Sequence, residues 1–251
     1  MNQPILIPDE RTIDLYPIIQ ATPIKMNAYT ELHYRKIFIS RVYTILWCQL
    51  VVTSLFIGLC NQILPLQIFL LSPIGITLMY VSIFSLIISS CCLFGYYDTL
   101  RIFPYNYLYV LCFTVMMSYS LGIVGVMYNS QTLLISGVST TGMFSGLTLY
   151  AFQTKVDYTM YGNVGIILLL GLLFFGFLTS CIQIQMLQSI YSVGGSCLFS
   201  FYIIYDTQLI TGGSERNIEY SIDDFAIASV NLYLDIINLF LFLLDIIGGR
   251  N

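Results

Sequence analysis

The sequence contains very few charged residues for its length. Only 9% of its 251 residues are Asp, Glu, Lys or Arg, whereas 57% are hydrophobic. A soluble domain carries about a quarter charged residues, because a folded globule needs a polar surface. The scarcity of charge argues against a soluble protein and predicts a single, mostly helical membrane domain.

Histidine is almost missing, and the cysteines show no functional pattern. The one histidine, His33, lies in the polar N-terminal region, which argues against Ser/His/Asp or Cys/His catalysis inside the membrane. None of the seven cysteines has the paired spacing of a zinc site or of a secreted disulfide framework. No basic stretch interleaved with aromatic residues suits nucleic acid. We therefore expect neither an enzyme nor a resident metal or other cofactor.

Seven hydrophobic stretches are long enough to cross a bilayer, which takes about 20 residues of α-helix. Their hydrophobicity is unbroken, unlike the alternating pattern of membrane β-strands. The prediction is an all-α bundle of seven transmembrane helices over residues 38–251, preceded by a loosely ordered tail at 1–37 that contains four prolines. The predicted spans are 38–60, 71–95, 105–127, 132–153, 160–181, 186–210 and 226–247.

Basic residues alternate between the two sides of this arrangement. Every Lys and Arg before the last span lies before or at the start of the first span, or in the second, fourth and sixth connections. None lies in 61–70, 128–131 or 182–185. Because basic residues are retained on the cytosolic side, the N-terminus is predicted to be cytosolic. Seven crossings place the C-terminus on the far side; a re-entrant last segment with a cytosolic C-terminus is the alternative.

Two acids lie inside predicted spans. Asp235 is in the seventh span, about 14 Å from its start at 1.5 Å per residue, and Asp206 is near the cytosolic end of the sixth. Charge at the bilayer centre costs at least ~2.5–3.5 kcal/mol, so such residues usually face the bundle interior.

Two carboxylates in one poorly hydrated site cannot both ionise cheaply, and they titrate as a pair. Ionised, the pair ligates a hard cation such as calcium; protonated, it bridges the helices, so protonation switches between two packings. In the alternative interpretation, each aspartate bonds a neighbouring helix without further function.

Further polar residues accompany Asp235. One face of the last helix is formed by residues spaced 4-3-4-3, namely Asn231, Asp235, Asn238, Phe242 and Asp245. This face is expected to look into the bundle. The acidic loop before that helix is either simply solvated or attracts cations to the cytosolic mouth; within it, Ser221 and Asp224 predict a helix N-terminus. The gating or pore-mouth candidates are Asp223, Asn231, Asn238 and Asp245.

Four segments resemble one known family. YIIYDTQLI (202–210) and ASVNLYLDIINLFLFLL (228–244), with RIFPYN (101–106) and FQTKVDYT (152–159), are similar to the motifs of the transmembrane Bax inhibitor motif, or lifeguard, family. The resemblance covers approximately residues 30–247 and is strongest to the lifeguard and Golgi anti-apoptotic branch.

The resemblance implies both a fold and a function. It implies a seven-helix bundle with the last helix at the centre, in the Golgi or endoplasmic reticulum. It also implies a pH-sensitive calcium leak that suppresses cell death, with Asp206 and Asp235 as the proton-sensing and metal-binding pair. Asp223 matches an acid that some members use in conduction. One departure is that residues 71–95 contain no charge, whereas bacterial relatives carry a basic latch residue in this span.

Three rival functions are weighed against the leak channel. The first is a non-conducting scaffold, with cell-death regulators of the Bcl family or intracellular calcium-release channels as partners. The second is an intramembrane aspartyl protease, which lacks its Gly-x-Gly-Asp element because Asp235 follows Leu234. The third is a proton-coupled transporter, for which no internal repeat is visible.

Overall fold

The structure, a computed structural model, describes residues 28–95, 97–182, 184–213 and 216–249. This part of the chain is helical and contains no strand. Three short 3₁₀ turns at Thr99–Arg101, Thr159–Tyr161 and Ile222–Asp224 precede α4, α6 and α8. The helices are α1 (Ala28–Gln62), α2 (Leu64–Leu70), α3 (Pro73–Gly95), α4 (Tyr105–Met127), α5 (Ser130–Gln153), α6 (Gly162–Ile182), α7 (Gln185–Thr211) and α8 (Phe225–Gly248).

Seven of these helices, all except α2, are long and apolar enough to cross a membrane. The predicted all-α architecture is confirmed. The chain is an integral membrane protein in which α1, α4, α6 and α8 begin at one end of the bundle. We call this end the N-terminal face and the other end the opposite face.

Two features of the N-terminal half differ from the sequence prediction. α1 begins at Ala28 rather than near residue 38. No Pro or Gly lies between Pro23 and Gly58, so the polar first turns of α1 continue the helix of the span. The rest of the predicted tail, 1–27, lies outside the described residues. The connection after α1 contains the short α2, with Pro65 in its first turn, where a missing N–H is tolerated.

The last helix lies at the centre of the bundle, as predicted. α8 packs against α1, α4, α5 and α7, whereas α3 packs mainly on α4 and α6 mainly on α7. Leu232, Tyr233 and Leu239 of α8 are completely buried. Neighbouring helices therefore surround α8 and bury apolar residues that lie outside its predicted polar face.

Buried polar side chains connect three of the central helices. Thr53 of α1 lies 2.9 Å from the Ser118 hydroxyl of α4 and 2.7 Å from the Tyr233 hydroxyl of α8. Gln49 Nε2 of α1 donates to the Thr114 hydroxyl of α4 at 3.0 Å. Lipid tails are as apolar as the helix surfaces, so helices in membranes associate through close packing and such hydrogen bonds. These bonds set the positions of α1, α4 and α8 relative to one another.

Candidate functional site

The two intramembrane acids singled out from the sequence lie together. Asp206 of α7 and Asp235 of α8 are 6% and 7% exposed, and their carboxyl groups lie close enough for each to influence the charge of the other. Asp235 Oδ2 is buried and has no hydrogen-bond partner within the described part of the chain. The pair lies in the half of the bundle nearer the N-terminal face, because Asp206 is close to Thr211, where α7 ends. We call these residues the aspartate pair.

The loop between α7 and α8 folds back over this pair. Tyr220 donates its backbone N–H to the Leu209 carbonyl at 3.0 Å, and its hydroxyl accepts from Asn231 Nδ2 at 2.8 Å. Burial, followed by the nearby Asp206 carboxylate, raises the pKa of Tyr220 well above its usual value. Tyr220 is therefore a neutral phenol, and its hydrogen bond to Asn231 brings the loop against α8 about one turn before Asp235.

An arginine of α1 fixes the same loop from outside. Arg35 forms an ion pair with Glu219 at 2.6 Å and donates to the Tyr220 carbonyl at 2.8 Å. Glu219 Oε2 also accepts from the Gly213 backbone N–H at 3.0 Å. Gly212 and Gly213 have positive φ angles of 58° and 106°, a conformation that glycine adopts without steric cost. These glycines let the chain leave α7 and turn back toward α1.

A second arginine anchors the start of α8. Arg101 Nε and Nη2 donate to the two Asp224 oxygens at 2.8 and 3.3 Å, and Asp224 is only 2% exposed. The hydrogen bond to Asp224 raises the pKa of Arg101 further. Asp224 also accepts from the Ser221 N–H at 3.0 Å, in the capping box expected for this helix start. The sequence had predicted the cap but not its arginine partner.

A third group of contacts joins the α5–α6 loop to the end of α7. Gln208, which is completely buried, donates to the Val156 carbonyl at 2.9 Å and accepts from the Tyr158 N–H at 2.7 Å. Arg216 donates to the carbonyls of Val156 and Thr154 at 2.7 and 2.8 Å. The N-terminal face is thus closed around the aspartate pair by contacts from three separate segments.

Comparison with known proteins identifies this arrangement. Residues 35–251 match the model of the family described as inhibitor of apoptosis-promoting Bax1. The chain belongs to this Bax inhibitor family. The family resemblance seen in the sequence motifs is therefore confirmed.

Individual relatives of this Bax inhibitor family chain cover most of its length. Protein lifeguard 3 of Homo sapiens is 29% identical over 223 residues, which are 86% of this chain and 70% of the relative. Protein lifeguard 3 of Mus musculus is 26% identical over the same shares. Bax inhibitor 1 of Schizosaccharomyces pombe is 32% identical over 223 residues, 85% of this chain and 77% of the relative.

The four gating candidates of this Bax inhibitor family chain do not form one site. Asn231 contacts Tyr220 and so belongs with the aspartate pair. Asn238 donates to the Leu234 carbonyl and lines a crevice of about 520 Å³ between α3, α4 and α8. Asp245 accepts a hydrogen bond from Ser192 of α7 nearer the opposite face, and Asp223 is exposed. The single polar face predicted for α8 is therefore divided among three surroundings.

Proposed function

We infer that this chain is a proton-sensitive, calcium-permeable leak channel of Golgi or endoplasmic reticulum membranes, and that it suppresses apoptosis by lowering store calcium. The aspartate pair carries this inference. Acids are costly inside a bilayer and are usually functional there, and these two are buried near each other where α7 packs on α8.

The pair supplies both the proton sensitivity and the affinity for calcium. When the two carboxyl groups share a proton, they hold α7 and α8 together and offer a cation little negative charge. When both are ionised, they repel each other across the helix contact and their oxygens attract calcium. Calcium takes six to eight oxygen ligands. Two carboxylates therefore suit weak, transient binding during conduction better than stable binding of a resident ion. Acidification is therefore expected to reduce the leak.

The distribution of basic residues supports the proposed orientation. Arg35, Arg101, Lys155 and Arg216 all lie at the N-terminal face, and basic residues favour the cytosolic side. The aspartate pair would then lie beneath the cytosolic surface, where cytosolic protons reach it when the α7–α8 loop opens.

The test is calcium release from liposomes that contain the purified protein. Replacement of both pair residues, Asp206→Asn and Asp235→Asn, is expected to reduce the leak roughly tenfold or more and to abolish its pH dependence. Asp245→Asn is the matched control, because it removes another acid from α8 that does not contact the pair. A double variant that leaks like the parent would refute the proposed role.

A second candidate function is a scaffold that restrains cell-death regulators of the Bcl family, or intracellular calcium-release channels, without conducting ions. The specific observation is the ordered surface that Arg35, Arg101 and Arg216 build at the N-terminal face. The double asparagine variant separates the two functions in a cell-survival assay. Full protection without flux favours the scaffold, and loss of both favours the channel.

A further inference from the structure

A small pocket lies between α1 and α4 at the N-terminal face, away from the aspartate pair. Its volume is about 220 Å³. Arg41 lies over the Phe225 ring, with its guanidinium carbon 5.9 Å from the ring centroid, and the Tyr107 ring lies 5.7 Å from the same ring. The lining residues are Ser40, Arg41, Thr44, Ile45 and Tyr107.

Arg41 differs from the other arginines described at this face. Arg35 and Arg101 form ion pairs with carboxylates, and Arg216 donates to backbone carbonyls. Within the described residues Arg41 has no such partner, and its side chain is exposed. Asp224, which directly precedes Phe225, is already engaged by Arg101. The guanidinium is therefore held in position by Phe225, and its hydrogen-bond donors remain available to an anion.

The depth of Arg41 matches the boundary of the bilayer. α1 ends at Gln62 on the opposite face, so Arg41 is about 31 Å from that end at 1.5 Å per residue. The hydrocarbon core of a bilayer is about 30 Å thick. Arg41 thus reaches the level of the lipid headgroups, and Tyr107, which is 48% exposed, occupies the interfacial position that tyrosine favours.

We propose that this pocket binds the headgroup phosphate of an anionic phospholipid, whose acyl chains lie along the outer surface of α1 and α4. The planar guanidinium of Arg41 binds two phosphate oxygens at once. The Thr44 hydroxyl already donates to the Ser40 carbonyl at 2.7 Å, which leaves the hydroxyls of Ser40 and Tyr107 as further donors. Charge complementarity selects a lipid with net negative charge, since a zwitterionic headgroup brings its own cation to the arginine.

The site is coupled to the centre of the bundle. Phe225, which supports Arg41, is the first residue of α8 and directly follows the Asp224 that Arg101 holds. A bound headgroup would thus stabilise the start of the central helix. This inference does not depend on ion conduction, and it holds whether the protein is a channel or a scaffold.

The experiment measures thermal unfolding of the full-length protein in neutral detergent during titration with three probes. Dioctanoyl phosphatidylglycerol is expected to raise the unfolding temperature in a saturable manner, whereas dioctanoyl phosphatidylcholine and inorganic phosphate do not. Stabilisation by both lipids alike overturns the proposal, because it shows no selection for charge. Equal stabilisation by inorganic phosphate also overturns it, because the ligand is then a free anion.

Matched variants assign the binding to the pocket. Arg41→Gln is expected to weaken phosphatidylglycerol binding roughly tenfold. Arg41→Lys should restore it only in part, because an ammonium lacks the planar pair of parallel N–H donors that matches two phosphate oxygens. Lys36→Gln removes the same charge from the exposed surface of α1 outside the pocket and should change binding less than about threefold. Ser40→Ala with Tyr107→Phe removes two donors without altering charge and should also weaken binding. Equal losses for Arg41→Gln and Lys36→Gln would reduce the effect to general surface charge and refute the site.

Discussion

Hydrogen bonds between buried hydroxyl groups connect the helices at the centre of this bundle. Thr53 is 2% exposed and contacts both Ser118 and Tyr233, so one side chain joins three helices. A buried polar group that loses its partner in a membrane has no water to replace it. The contribution of Thr53 is therefore larger than that of a hydroxyl on the lipid-facing surface.

Thr53→Val keeps the shape of the side chain and removes its hydroxyl. It is expected to lower the free energy of unfolding by about 0.6–2 kcal/mol, measured by denaturant unfolding in mixed micelles. Ser54→Ala is the control, because the Ser54 hydroxyl is exposed and bonds only the Val51 carbonyl of its own helix. An equal loss in both variants would show that the shared hydrogen bond is not stabilising.

Two adjacent glycines of α7 give a second comparison. A Cβ at Gly195 would collide with the Phe242 ring of α8, whereas a Cβ at Gly194 would meet nothing within 4 Å. Gly195→Ala is expected to destabilise the protein by about 1–3 kcal/mol through overpacking. Gly194→Ala should be neutral or stabilising by up to about 1 kcal/mol, as alanine is the better helix former. Thermal unfolding of the two variants checks this; similar behaviour would mean that α7 and α8 pack less closely here.

The transmembrane helices themselves could largely be predicted from the sequence. The bilayer requires about 20 apolar residues for each crossing, and the predicted spans 71–95 and 105–127 nearly coincide with Pro73–Gly95 and Tyr105–Met127. The start of α1 could not be predicted in this way. Its first turns are polar, and hydropathy does not show where a helix begins outside the membrane.

The candidate site could be predicted only in part. Acids within apolar spans are conspicuous, so Asp206 and Asp235 could be chosen from the sequence. The partners of Arg35, Arg101 and Arg216 depend on how distant segments meet, and no spacing within one helix contains that information. For the same reason the different surroundings of Asn238 and Asp245 were not foreseen.

The contact between the α5–α6 loop and the α7–α8 loop is expected to weaken at acidic pH. Burial alone would raise the pKa of Asp157, but hydrogen bonds from Thr159 and Asn217 outweigh burial and lower it. A carboxyl group with a lowered folded-state pKa stabilises the fold above its unfolded value, about 3.9 for Asp. That contribution is lost as the pH falls through the lower, folded value.

Hydrogen exchange of the backbone around Tyr158 measures this effect. Protection is expected to hold from neutral pH down to about pH 4 and to fall below it. In Asp157→Asn the amide cannot change charge, so protection should be lower throughout and independent of Asp titration. An unchanged acid profile in this variant would assign the effect to another group.

The N-terminal face as a whole is closed by side chains from separate parts of the chain. Arg35 comes from α1, Arg101 from the α3–α4 loop, and Arg216 from the α7–α8 loop itself. The loop that carries Tyr220 therefore opens only when some of these contacts break.

Removal of the α1 contact tests this closure. Arg35→Gln is expected to increase hydrogen exchange in residues 216–220, because Glu219 and the Tyr220 carbonyl lose their partner. If the chain conducts calcium as proposed, the leak should rise in the same variant. Lys36→Gln is the control, since it removes an exposed charge from the same helix without removing a contact to Glu219 or Tyr220. Unchanged exchange in Arg35→Gln would show that the remaining contacts suffice to hold the loop.

The unequal lengths of the spans determine which membranes suit this protein. α1 has 35 residues and is about 52 Å long, whereas α6 has 21 and is about 31 Å long. The polar first turns of α1 extend beyond the hydrocarbon core, whereas α6 has no such extension and only just matches a bilayer of average thickness. Thickening by sterols would thus cause hydrophobic mismatch first at α6, which packs mainly on α7, so lipid composition would act on the helix that carries Asp206.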